Sequence, residues 1–75
     1  MKELIEYIVK AIVAEPDKVN ITEENSEGVI LIKLEVSPED KGRVIGRQGR
    51  VAEAMRTLLR VKAAQGDTRV RLEIV

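Results

Sequence analysis

The sequence predicts a two-layer α+β domain, a three-stranded sheet with its helices on one face. Three observations predict it. Apolar residues recur at helical spacing in residues 4–13 and again in residues 51–63. Residues 29–36 are β-branched and aliphatic with alternation in their second half, and residues 70–74 alternate apolar with charged. Proline, glycine and polar clusters separate these stretches, giving the order α-β-β-α-α-β.

Leu4, Ile5, Ile8, Val9, Ile12 and Val13 form one apolar stripe on a first helix. Pro16 stops it, because proline lacks the backbone donor and forces Glu15 out of helical geometry. A short strand is expected at residues 19–22, and the polar run Glu23-Glu24-Asn25-Ser26-Glu27-Gly28 reads as a hairpin loop. Residues 29–36 are the second strand. Four consecutive apolar residues at its start imply cover on both faces there, and Lys33 and Glu35 leave one face wet further on.

Ser37-Pro38-Glu39-Asp40 reads as a helix start: serine as N-cap, proline at the first helical position, acids in the first turn. Gly46 cuts that helix short. A long helix then runs from Gly49 to about residue 64. At about 100° per residue its apolar positions, from Val51 to Ala63, span an arc of about 200°. That exceeds one sheet contact, so the helix is expected to meet the first helix or a second subunit as well. Ala52, Leu59 and Ala63 are a strip that either packs on the first helix or forms such an interface. Lys62 falls inside the apolar arc, where it would snorkel. Gly66-Asp67 ends the helix, and Val70, Leu72 and Ile74 alternate with charged residues in a last strand.

Composition limits the function. Seventy-five residues make one expected domain, 1–75, which buries only about 60% of its unfolded surface. With no cysteine or histidine, disulfides and nearly all transition-metal sites are excluded, and no cofactor is expected. The usual acid-base and nucleophilic groups are missing too, so no catalytic residues are assigned. The two serines, Ser26 and Ser37, sit at turn-like positions. No apolar run reaches the roughly 20 residues of a membrane span, and no signal peptide opens the chain, so a cytoplasmic location is expected.

The zero net charge conceals a sharp polarity. Residues 1–40 carry four basic and ten acidic side chains, and residues 41–62 carry seven basic and one acidic. A polyanion would dock on that second segment, unless the exposed face of a helix merely happens to be basic.

At its centre lies Gly46-Arg47-Gln48-Gly49, between two helices and after the apolar pair Val44-Ile45. Glycines at both ends permit unusual backbone angles and close approach. Because the loop opens the long helix, unpaired N–H groups and the positive end of the helix dipole face it, a combination suited to phosphate. Arg47 projects from the loop, with Arg43 and Arg50 about a turn away on either side. A bare GxxG is more often a plain helix joint; its place in the basic segment raises its weight. The nucleotide-binding P-loop pattern is absent.

Val44-Ile45-Gly46-Arg47-Gln48-Gly49-Arg50 resembles the signature of the KH domain, and the element order is that of its type II form. The likeness covers the whole chain. A free-standing domain of this length, with Ser37-Pro38-Glu39-Asp40 leading into the signature, resembles the bacterial KhpA family of RNA-binding proteins. This resemblance implies that Gly46, Arg47, Gln48 and Gly49 grip the phosphates of about four unpaired nucleotides, with Ile45 lining an adjoining apolar groove. It also implies a dimer, or pairing with a larger KhpB (Jag)-type protein. Poverty in aromatics agrees, since RRM and OB folds need stacking platforms and this chain has only Tyr7, read as a boundary residue. The competing class is a protein-interaction scaffold that keeps the fold without binding RNA.

Overall fold

A computed structural model describes residues 1–75. Its regular elements are α1 (Lys2–Ile12), β1 (Asn20–Ser26), β2 (Val29–Glu35), α2 (Lys41–Ile45), α3 (Arg50–Gln65) and β3 (Arg69–Ile74), with short 3₁₀ turns at Pro16–Lys18 and Arg47–Gly49. This is the predicted order. The sheet runs β1-β2-β3, with β1 antiparallel and β3 parallel to β2. Parallel pairing of β2 and β3 requires a crossover connection, which α2, the loop and α3 supply.

The core lies between the sheet and the helices. Ile30, Ile32 and Leu34 of β2 and Leu72 of β3 meet Ile5 and Val9 of α1, Val44 of α2, and Met55 and Leu59 of α3. Alternation on β2 sends Val29, Leu31, Lys33 and Glu35 to the opposite face. That face has no second layer: Val29 and Leu31 are half-buried, and Lys33 and Glu35 are exposed. Cover on both faces of early β2 is thus not realised, because all the helices sit on one side.

β1 extends through most of the stretch read as a loop. Its register with β2 runs unbroken from Asn20 opposite Glu35 to Ser26 opposite Val29. Only Glu27 and Gly28 turn, with φ of 52° and 78°, the two positive angles of a type I′ hairpin. Polar side chains are tolerated because β1 is an edge strand. Glu23 is put to use: its Oε1 accepts the Lys2 backbone N–H at 3.0 Å, supplying from the sheet a cap that α1 lacks locally.

α1 ends at Ile12, four residues before Pro16, whose ring excludes a helical carbonyl there. Asp40 anchors the chain leaving the helix. Its buried carboxylate accepts the backbone N–H groups of Ala14 and Glu15, both at 3.0 Å, and the Ser37 hydroxyl at 3.1 Å. These bonds hold its carboxyl below the usual carboxylate range, the Ala14 N–H first among them, against the opposing effect of desolvation. Ser37 is therefore not a side-chain N-cap. Residues 37–40 form a turn, closed by the Asp40 N–H on the Ser37 carbonyl, and α2 begins at Lys41.

α3 buries a narrower stripe than its apolar arc. Ala52, Met55, Leu59 and Ala63 are buried, while Leu58 is 48% and Val61 56% exposed. The Ala52, Leu59 and Ala63 strip is consumed inside the chain and is no free interface. Lys62 is exposed beside that uncovered part of the arc, with no apolar layer to snorkel past. Tyr7 is 79% exposed, further out than a boundary position.

Candidate functional site

The loop hangs from α2, a helix of only five residues, and two contacts fix that helix. Val44 is fully buried in the core, and Asp40 ties its start to the chain leaving α1 across 25 and 26 residues of sequence. Asp40 is the positioning residue that sequence reading missed. Its position reads as a first-turn acid, and no local signal reveals hydrogen bonds so distant.

Each glycine is needed for its own reason. Gly46 has φ 78° and ψ 172°, a region other residues essentially never occupy. A Cβ there would lie 2.5 Å from the Val51 Cγ2 and 2.9 Å from the Val51 backbone nitrogen, so the chain passes too close to the start of α3 for any side chain. Gly49 is left-handed, φ 74° and ψ 14°, and a Cβ on it would meet nothing within 4 Å. Its side faces open space. Between them Gln48 is also left-handed, at φ 57°. Three positive-φ residues among four reverse the chain within one tight turn.

Bonds within the turn take up three of its N–H groups. The N–H of Gly46 bonds to the Gly42 carbonyl at 2.8 Å, that of Gly49 to the Gly46 carbonyl at 3.1 Å, and that of Arg50 to the Arg47 carbonyl. α3 has no side-chain cap at its N-terminus, so no side-chain oxygen competes there with an incoming anion. Arg47 is exposed and forms no ion pair. Arg50 donates from Nη2 to the Gln48 Oε1 at 3.2 Å, holding the two side chains together across the turn. Arg43, 60% exposed, reaches Asp40 only at 4.0 Å. Ile45, 38% exposed, stands beside the loop as a small apolar surface. The fold therefore gathers Arg43, Ile45, Gly46, Arg47, Gln48, Gly49 and Arg50 around one turn.

Together these define a two-layer α-β-β-α-α-β domain with a glycine-bounded, cationic turn between α2 and α3. The family described as KhpA/KhpB, KH domain, matches residues 2–74. Among curated proteins, the RNA-binding protein KhpA of Listeria monocytogenes serovar 1/2a is 49% identical over 75 residues, covering all of this chain and 99% of that protein. KhpA of Clostridium acetobutylicum is 45% identical over the full length of both chains. KhpA of Treponema pallidum is 46% identical over 74 residues, covering 99% of this chain and 92% of its own. No solved structure matches it significantly. The chain belongs to the KhpA/KhpB family of KH domains. No helix is long and apolar enough to cross a membrane.

Proposed function

We propose that this chain is a non-catalytic, cytoplasmic RNA-binding protein, a single KH domain over 1–75 that clamps the backbone of a short unpaired RNA stretch at residues 46–49. The observation that carries the reading is the open side of Gly49 at the uncapped start of α3, with the unpaired Arg47 beside it. Arg47 and Arg50 meet the phosphates, with Arg43 on the approach, while Gly46 and Gln48 set the turn and Ile45 supports the neighbouring base. The relatives' name as RNA-binding proteins supports the same ligand.

A domain with about three phosphate contacts binds weakly and loses affinity in salt, with a log–log slope of about −2. Duplication offsets this, since avidity adds roughly 10² to 10⁴. The exposed stripe Ala54, Leu58 and Val61, at i, i+4 and i+7 on α3, is the surface through which a second copy docks. A KhpB (Jag)-type protein is the other candidate for that surface, in a role in post-transcriptional regulation.

Titration of a fluorescent unstructured RNA tests the clamp, comparing the native chain with Arg47→Asp, Gln48→Asp. The expected result is salt-sensitive binding by the native chain and none by the folded variant. Equal binding by both refutes the loop as the site, and no binding by either favours the scaffold reading. Light scattering of Leu58→Asp, Val61→Asp tests the stripe: a dimer should become a monomer, and an unchanged mass refutes that interface.

A further inference from the structure

Away from the loop, β3 leaves one edge of the sheet open. Its register with β2 runs unbroken from Arg69 opposite Val29 to Ile74 opposite Leu34, and no strand flanks its other side. The Arg69 N–H donates to the Gly28 carbonyl at 3.1 Å and the Val75 N–H to the Leu34 carbonyl at 2.9 Å. Alternate residues of a strand turn their main chain to the same neighbour, so Arg69, Arg71, Glu73 and Val75 face β2. Val70, Leu72 and Ile74 direct their N–H and C=O groups to the open edge. The side chains around that edge divide by face. Toward the helices, Leu59, Val70 and Leu72 floor a cleft of about 250 Å³, with Arg56 and Arg60 on its α3 side. On the uncovered face of the sheet stand Arg69 and Arg71, in register with Val29 and Leu31. Both are exposed and in no ion pair. Against these four arginines, α3 and β3 carry only two carboxylates: Glu53, already paired with Arg56 and Arg60, and Glu73.

We infer that this edge is a docking site for an extended peptide that alternates apolar and acidic residues, taken up as a fourth strand of the sheet. The inference goes beyond the RNA-binding reading and does not depend on it. An added strand gains its affinity from main-chain hydrogen bonds to Val70, Leu72 and Ile74, and its specificity from side chains that alternate between faces. One set enters the cleft over Leu59, Val70 and Leu72, where an aliphatic side chain fits and a charge would lose its water. The other set lies on the uncovered face beside Arg69 and Arg71. A cross-strand neighbour there stands about 4.5–5.5 Å away, and an acidic one gains an ion pair at each arginine. The charges also select against other occupants. A basic strand meets four arginines, and a second β3 would bring four more against them. A nucleic-acid strand has the right charge but no row of N–H and C=O groups to match the ladder. The opposite edge, β1, carries Glu23 and Glu24 and repels what β3 attracts.

The experiment titrates the native chain with labelled peptides of about ten residues, a full strand's length. One alternates valine and glutamate, one alternates valine and lysine, and one is the valine–glutamate peptide with its amides N-methylated. The Arg69→Glu, Arg71→Glu variant, confirmed folded by circular dichroism, is titrated beside it, and hydrogen exchange follows the Val70 and Leu72 amides. The glutamate peptide should bind the native chain about 10-fold more tightly than the lysine peptide, and the variant should lose that preference. Its binding should slow exchange at Val70 and Leu72, and the N-methylated peptide should not bind. No binding of the glutamate peptide, equal binding of the two charge types, or a preference kept by the variant overturns the inference. Binding that leaves both amides unprotected, or that survives N-methylation, is charge attraction alone and also overturns it. Amides already protected in a dimeric native chain give the edge to a second copy. Protection by an oligouridine, with none by the peptide, gives it to nucleic acid; either result overturns the peptide site.

Discussion

Gly46 and Gly49 have nearly equal φ, yet alanine should cost very different amounts at the two. At Gly49 the penalty is the left-handed backbone alone, about 1–2 kcal/mol, because a Cβ meets nothing. At Gly46 the backbone region itself costs about 1–3 kcal/mol. Overlap with Val51, at 2.5 Å from Cγ2 and 2.9 Å from the main chain, adds a similar amount. A chain of 75 residues has a total stability of only about 4–11 kcal/mol. Urea denaturation, with a slope of about 1 kcal/mol/M, should therefore show Gly49→Ala lowering the midpoint by about 1–2 M. Gly46→Ala should lower it by at least twice that, or leave the chain unfolded. Adding Val51→Ala to Gly46→Ala should restore part of the loss, as coupled neighbours do. Equal midpoints for the two alanine variants would refute the reasoning, since nothing but the Val51 contact and ψ separates the sites. Gly49→Ala also places a methyl group where the phosphate is proposed to sit, so it should weaken RNA binding by more than its effect on stability explains.

Other outcomes follow from the packing. The Asp40 carboxyl is held below its ordinary value, 3.8, first by the Ala14 N–H, so its stabilising effect is complete above that pH and fades as pH falls through the lower folded value. Asp40→Asn should flatten this part of the acid limb in a pH series of denaturation curves; an unchanged limb would assign acid sensitivity to other carboxylates. Leu59→Ala should cost about 2–5 kcal/mol in the same assay, because Leu59 is fully buried beneath α3. A loss below 1 kcal/mol would mean that α3 is not seated on the sheet as described.

The backbone of the site was legible in the sequence because its causes are local. Two glycines three residues apart, preceded by Val44 and Ile45, specify a turn between helices whatever the rest of the chain does. The seven basic residues in 41–62 likewise mark the charged segment. Helical spacing placed Ile5 and Val9 in the core, and alternation did the same for Ile32, Leu34 and Leu72.

What the tertiary structure alone decided depends on residues far apart in the chain. Asp40 anchors the chain leaving α1 because it reaches Ala14 and Glu15, and no local window of sequence contains those bonds. β1 continues through Glu23 and Asn25 because the unbroken edge of β2 offers it a ladder, overriding polar composition that locally favours a loop. The apolar arc of α3 could not show which part would be covered. Packing on the sheet took Met55 and Leu59, Ala52 is buried with them, and Leu58 and Val61 are left outside. Only parallel pairing of β3 with β2 brings residues 69–74 alongside α3, a placement that no local signal carries. Periodicity and turn chemistry act over a few residues and can be read from them, whereas burial and pairing are settled only when distant segments compete for the same surface.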